Sequence, residues 1–167
     1  MSLSPQTHAS CKNDRNQFIM LKTQLYELCV EFVKTRLQTV TQTIKSNQQA
    51  LTSETKSSVG DKHETARAMF QLEIEKAGQQ LSSIQQMKKT LTKIDLTSSS
   101  EIISLGSLVE TNLGNFFLSI SAGQLTMGNR IFYAISTSSP IGQLLLGQTQ
   151  GSKLVWNGRK ININRIS

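Results

Sequence analysis

The sequence predicts an α+β chain: a long antiparallel helical coiled-coil hairpin followed by a small β-rich domain with one short helix. Three observations predict it. Apolar residues recur at coiled-coil spacing in two stretches, on either side of a Ser/Thr/Gly-rich break. The helical periodicity stops at Asp95. Beyond it, short runs of branched and aromatic residues alternate with turn signals.

Residues 1–15 read as a disordered lead, polar and without a hydrophobic signal core. The hairpin is predicted over 16–95. Leu21, Leu25, Leu28 and Phe32 open a helical stripe, and Val33, Leu37, Val40, Ile44 and Leu51 continue it. In the second stretch Phe70, Ala77, Ile84 and Leu91 are seven apart, with Ile74, Leu81 and then Lys88 in the alternate position. Residues 52–64 form the tip and contain Gly60, the single glycine among the first 77 residues. A short connection makes the helices antiparallel neighbours, with Ile44 opposite Ile74 and Leu37 opposite Leu81. A helix of about 35 residues rising ~1.5 Å per residue is on the order of 50 Å long, so the tip is expected far from the rest of the chain.

Residues 96–167 form the second domain, entered through the linker Leu96-Thr97-Ser98-Ser99-Ser100. Strands are predicted at 107–111, 115–121, 130–136, 154–156 and 160–166. Asn112-Leu113-Gly114-Asn115 and Asn157-Gly158 read as hairpin turns. Ser139 is the expected N-cap of a short helix, Pro140 its first residue and Gly147 its stop. Phe116, Phe117, Phe132, Tyr133 and Trp156 alternate along strands, which is the pattern of core residues rather than of a pocket.

Composition narrows the function. Eighteen Lys+Arg against 11 Asp+Glu give a net charge of +7, which suits a polyanion or an acidic protein surface as partner. Hydrophobic content of 37% and aromatic content of 5% fit an elongated helical part with a small core. Two cysteines, Cys11 and Cys29, with no CxxC, exclude a disulfide framework and argue against zinc; Cys29 falls on the apolar stripe and reads as buried. No apolar run approaches the ~20 residues of a membrane span, so a cytoplasmic protein without membrane contact is expected. There is no phosphate-binding loop, Rossmann fingerprint, HExxH or GxSxG. With His8 and His63 the only histidines, no histidine-based triad can be assembled, and the chain does not read as a self-contained enzyme.

The stretch that carries chemistry is Gly60-Asp61-Lys62-His63-Glu64-Thr65-Ala66, where two carboxylates three residues apart share a face at the start of the second helix. The plain alternative is a capping box, with Asp61 as N-cap and Glu64 at the third position, both favoured by the helix dipole.

The chain resembles the bacterial Gre-type (GreA/GreB) transcript-cleavage factors over about residues 16–167. Their hairpin tip reads roughly G-D-L-S-E-N-A-E-Y, which Gly60, Asp61, Glu64 and Ala66 match in order without a gap. Their second domain carries a segment like S-P-L-G-R-A-L-L-G-K-K-V-G-D. It is matched by Ser139-Pro140-Ile141-Gly142-Gln143-Leu144-Leu145-Leu146-Gly147, with Gly151 at the later glycine. Leu105-Gly106-Ser107-Leu108-Val109 resembles the family's opening strand.

The resemblance implies an FKBP-like fold for 96–167 and a transcription elongation factor that binds RNA polymerase through its secondary channel. It also implies that Asp61 and Glu64, at the nascent RNA 3′ end, help hold a second Mg2+ and the water that attacks a backtracked transcript. Mg2+ suits this role because it takes oxygen ligands, keeps several waters and stabilises both oxygens of an in-line displacement. The ion would be shared with the polymerase and not bound tightly by the isolated protein, which is expected to be a monomer with at most an indirect association with DNA. Lys62, His63, Arg67, Ser139, Pro140 and Gly142 are the expected partner-binding residues. The tip departs from the family pattern where Lys62-His63 replaces Leu-Ser, and where Thr65 and Ala68 replace Asn and Tyr. Lys62 and Arg67 bring positive charge beside the acids, which grips RNA phosphate or opposes metal binding.

The runner-up reading is a cleavage-inactive Gre-fold regulator or inhibitor that plugs the channel. From other classes come a prolyl isomerase or chaperone, needing an open aromatic-lined pocket, and a plain coiled-coil adaptor. The basic residues Lys88, Lys89 and Lys93 read as a solvated helix end. Lys153, Arg159, Lys160 and Arg165 fit an acidic docking partner as well as they fit sheet-edge charge.

Overall fold

A computed structural model of the chain describes residues 6–55 and 61–167, with side chains described for 14–53 and 64–167. It is α+β: a long helical hairpin followed by a six-stranded sheet and one short helix. Helix α1 spans Gln6–Thr55 and α2 spans Asp61–Leu91. Residues 6–15 thus have helical backbone where the polar composition suggests a disordered lead. After Pro5 no proline or glycine interrupts the chain before Gly60.

The chain divides into two compact units. One joins the first part of α1, through Val30, to Thr90–Ser167. The other is Glu31–Lys89, the paired upper arms of the hairpin.

In the hairpin arms Val33, Val40, Ala77 and Ile84 are buried, and Leu37, Ile44, Phe70, Ile74 and Leu81 are half-buried. Residues 35–40 of α1 and 80–84 of α2 line one cleft, so the helices are neighbours at the level expected of Leu37 opposite Leu81. Lys88 does not continue the seam. It is exposed, and Met87 is half-buried in its stead. A helix with 3.6 residues per turn drifts about 20° per heptad, and an ammonium resists desolvation. On α1 the stripe also shifts: Leu28 is 38% exposed, and the fully buried positions are Leu25 and Cys29.

The sheet order is β3-β4-β2-β1-β6-β5, with β1 Leu108–Thr111, β2 Gly114–Ser119, β3 Gly123–Met127, β4 Arg130–Ser136, β5 Lys153–Trp156 and β6 Arg159–Ile166. All neighbours are antiparallel except β2 and β4, which pair in parallel through Asn115↔Phe132 to Ser119↔Ser136. Strand β3 is absent from the sequence prediction. It is an edge strand on which Leu125 alone is buried, so it lacks the alternation that marks its neighbours.

Helix α3, Pro140–Leu145, follows β4 as expected, with Ser139 as N-cap and Pro140 at the first position; Gly147 stops it with φ +79°. The Asn157-Gly158 turn joins β5 to β6 with both residues at positive φ, 48° and 77°, the type I′ geometry whose twist matches a hairpin.

Both sheet faces are covered. On the α3 face, Ile103, Val109, Leu118, Leu145 and Ile163 form a buried cluster with Phe116, Ile135 and Ile141 against it. On the opposite face Leu108, Phe117, Phe132 and Ala134 are buried, and the buried contact of Cys29 Sγ with Ser119 Oγ, 3.6 Å, places the first part of α1 there. The aromatics divide accordingly. Phe117 and Phe132 are core, Phe116 and Tyr133 stack at 6.0 Å with Tyr133 37% exposed, and Trp156 is half-buried. Among the described residues, no helix is long and apolar enough to cross a membrane.

Candidate functional site at the start of α2

The backbone is helical at both Asp61 and Glu64, and the residues before Asp61, with them the expected capping box, lie outside the described residues. Residues three apart on a helix lie on one side, and both acids fall at the start of the described part of α2. Glu64 is exposed, and Arg67, one turn further along, is exposed beside it. The side chains of Asp61, Lys62 and His63 lie outside the described residues. Burial explains neither Glu64 nor Arg67, in contrast to the half-buried Ala66 and Phe70 that follow the seam. Among the described residues no three His, Cys, Asp or Glu side chains come together as a metal site.

The other expected partner-binding residues have work inside the fold. Ser139 Oγ accepts from Gly142 N at 3.2 Å and donates to Ser136 O at 2.6 Å. Gly142 is buried, and a Cβ there would fall on the Ser136 carbonyl oxygen. Only Pro140 of the three presents an exposed side chain. The basic residues Lys153, Arg159, Lys160 and Arg165 are all exposed on β5 and β6, and the guanidinium of Arg165 lies 4.0 Å from the centre of the Phe18 ring.

Lys22 stands outside the motifs of the sequence. It is 3% exposed, and its ammonium donates to Ser98 O at 3.1 Å. Burial lowers its pKa from the ordinary value, and the nearby Asp95 carboxylate opposes that shift. Asp95 Oδ1 accepts from the Thr97 hydroxyl at 2.7 Å and the Thr97 amide at 2.9 Å, and these bonds hold its carboxyl below the usual range. The Cys29 thiol is pushed up by burial, against a smaller opposing effect of Ser119. Lys22 stands three and seven residues before Leu25 and Cys29, a spacing that signals its place on the buried stripe. No family model, curated protein or solved structure matches the chain.

Proposed function

We propose that this chain is a transcription elongation factor that binds RNA polymerase, enters its secondary channel with the helical hairpin and stimulates the polymerase's own cleavage of backtracked transcripts. The observation that carries the reading is the position of Asp61 and Glu64 in the first turn of α2, directly after the segment joining the two long helices. A hairpin of that kind presents a carboxylate pair at its end. The match of residues 139–147 to the family's second domain adds support, since the segment forms the capped helix that its Ser-Pro start encodes.

The donor set fits Mg2+, a hard cation that takes oxygen ligands and keeps waters when one or two carboxylates hold it. Asp61 and Glu64 would hold the ion together with ligands of the polymerase, and it would supply charge stabilisation for in-line attack on a phosphodiester. The chain's own contribution is placement: two acids on one helical turn, delivered to the RNA 3′ end. The protein is a cofactor of the polymerase, working in the cytoplasm, with no nuclease activity alone.

The second reading, a channel-plugging regulator, is favoured by Lys62 and Arg67, whose charges stand beside the acids and oppose cation binding. One experiment separates the two. End-labelled RNA in a backtracked elongation complex is incubated with Mg2+ and this protein, or with the Asp61→Asn/Glu64→Gln variant. Shortening of the RNA by the natural protein alone is the expected result. Co-migration with polymerase without shortening supports the plug, and absence of binding rejects both.

A further inference from the structure

The compact unit that contains the first part of α1 and the sheet holds a cavity of about 290 Å3 lined by three cationic side chains. Arg15, Lys22 and Arg165 line it together with Asp14 and Ser167, while Phe18 and Leu96 supply apolar wall. Lys22 is 3% exposed, and its hydrogen bond to Ser98 O uses one of its three N–H donors. Arg165 is stacked on Phe18, which fixes the plane of its guanidinium. Asp95, whose charge acts on Lys22, has its Oδ1 engaged by Thr97.

We propose that this cavity binds a small oxyanion-bearing molecule, its phosphate or carboxylate group held by the Lys22 ammonium and the Arg15 and Arg165 guanidinia. A guanidinium fork matches either group in two parallel hydrogen bonds, and charge-assisted bonds of this type are the strong ones. The apolar walls then accept the body of the ligand. The volume is close to the ~300 Å3 lower end of small-molecule pockets, which suits a small ligand. The burial that disfavours the Lys22 cation is offset when an anion enters. This site is independent of the tip acids and of the reading given to them.

The test uses the full chain in zwitterionic buffer at constant ionic strength. Sodium phosphate and sodium citrate are titrated separately, with sodium chloride as control, and binding is followed through the amide and Arg Nε resonances. Saturable shifts at Arg15, Lys22, Ser98 and Arg165 with phosphate or with citrate are expected, and the responding anion names the ligand class. Arg15→Gln and Arg165→Gln, both at exposed positions, should each weaken binding about tenfold, and Lys22→Met should abolish it. The arginine variants carry the test if Lys22→Met fails to fold. Shifts that stay linear, that chloride reproduces, or that persist unchanged in both arginine variants overturn the proposal.

Discussion

Replacing Gly142 with alanine asks whether the Ser-Pro segment is a structural device or a partner contact. An added Cβ falls on the Ser136 carbonyl oxygen, and the Ser139 hydroxyl lies 2.9 Å from the same position. Neither neighbour can step aside cheaply. Ser136 is the last residue of β4, paired with Ser119 of β2, and Ser139 caps α3. Helix α3 must therefore move outward, which breaks the cap and loosens Leu145, fully buried in the cluster with Leu118 and Ile163. Overpacking costs about 1–3 kcal/mol and a lost N-cap about 1 kcal/mol, so the expected loss is roughly 2–4 kcal/mol. That lowers the melting temperature by roughly 5–15 °C in a chain of this size. Urea denaturation followed by the single tryptophan, half-buried Trp156 on β5, reads the sheet unit directly. Ser139→Ala alone should cost about 1 kcal/mol, and the double variant little more than Gly142→Ala, because the displaced helix has already lost its cap. A Gly142→Ala cost below about 1 kcal/mol, or full additivity with Ser139→Ala, refutes the account. Pro140→Ala, at an exposed position, is then the substitution that reports on partner contact.

Other outcomes follow from the same geometry. Leu118→Ala, at a fully buried position in the α3-face cluster, should cost about 2–5 kcal/mol in urea denaturation. Gly158→Ala should cost about 1–2 kcal/mol, because its φ of +77° is one L side chains resist, whereas Asn157→Gly should be close to neutral at φ 48°. For Lys22 the sign is set by burial, which places the folded pKa below its ordinary value of 10.5. Between those two values the unfolded chain binds more protons than the folded one, so stability rises with pH across that window and is lower beneath it. Lys22→Met should remove that rise and match or exceed the natural stability at neutral pH, since Ser98 is exposed and its carbonyl can turn to water. The raised Cys29 thiol acts in the opposite sense above its ordinary value of 9.0, so the rise is read as the difference between denaturation curves of the natural protein and of Lys22→Met from pH 7 to 11, and identical pH profiles in the two contradict it.

The legible parts of the fold are those where one physical signal dominates. Seven-residue recurrence from Phe70 to Leu91 is sustained long enough to specify a helix, and Ser139-Pro140 with Gly147 marks both ends of α3. Asn157-Gly158 encodes its turn because few residues accept positive φ. Strand β3 is illegible because an edge strand with one buried side chain has no alternation to read. Lys22 is hidden for a different reason. Spacing places it on the buried stripe, but what its ammonium does there depends on a partner, and that partner is a linker carbonyl 76 residues away. The same non-local contact binds the start of α1 to the unit that contains the sheet, so the compact units follow packing and not the composition change at Asp95. At the tip, residue order alone proposes Asp61 and Glu64 as a pair, but caps and ligands use the same residue types at the same spacing.

That ambiguity dictates the variant used to resolve it. Alanine at both positions would remove capping groups and charge together, so a lost activity would carry two explanations. Asparagine and glutamine keep the side-chain oxygens that cap a helix and remove only the negative charge. The helix-dipole contribution lost is about 0.3–1 kcal/mol per acid, a small fraction of the stability of a hairpin whose arms bury Val33, Val40, Ala77 and Ile84. A variant whose melting temperature falls by no more than a few degrees, which still binds polymerase yet leaves the RNA uncut, locates the defect in the negative charge that holds the metal. A variant that cuts as well as the natural protein reduces Asp61 and Glu64 to caps, and the proposed cleavage mechanism fails with them.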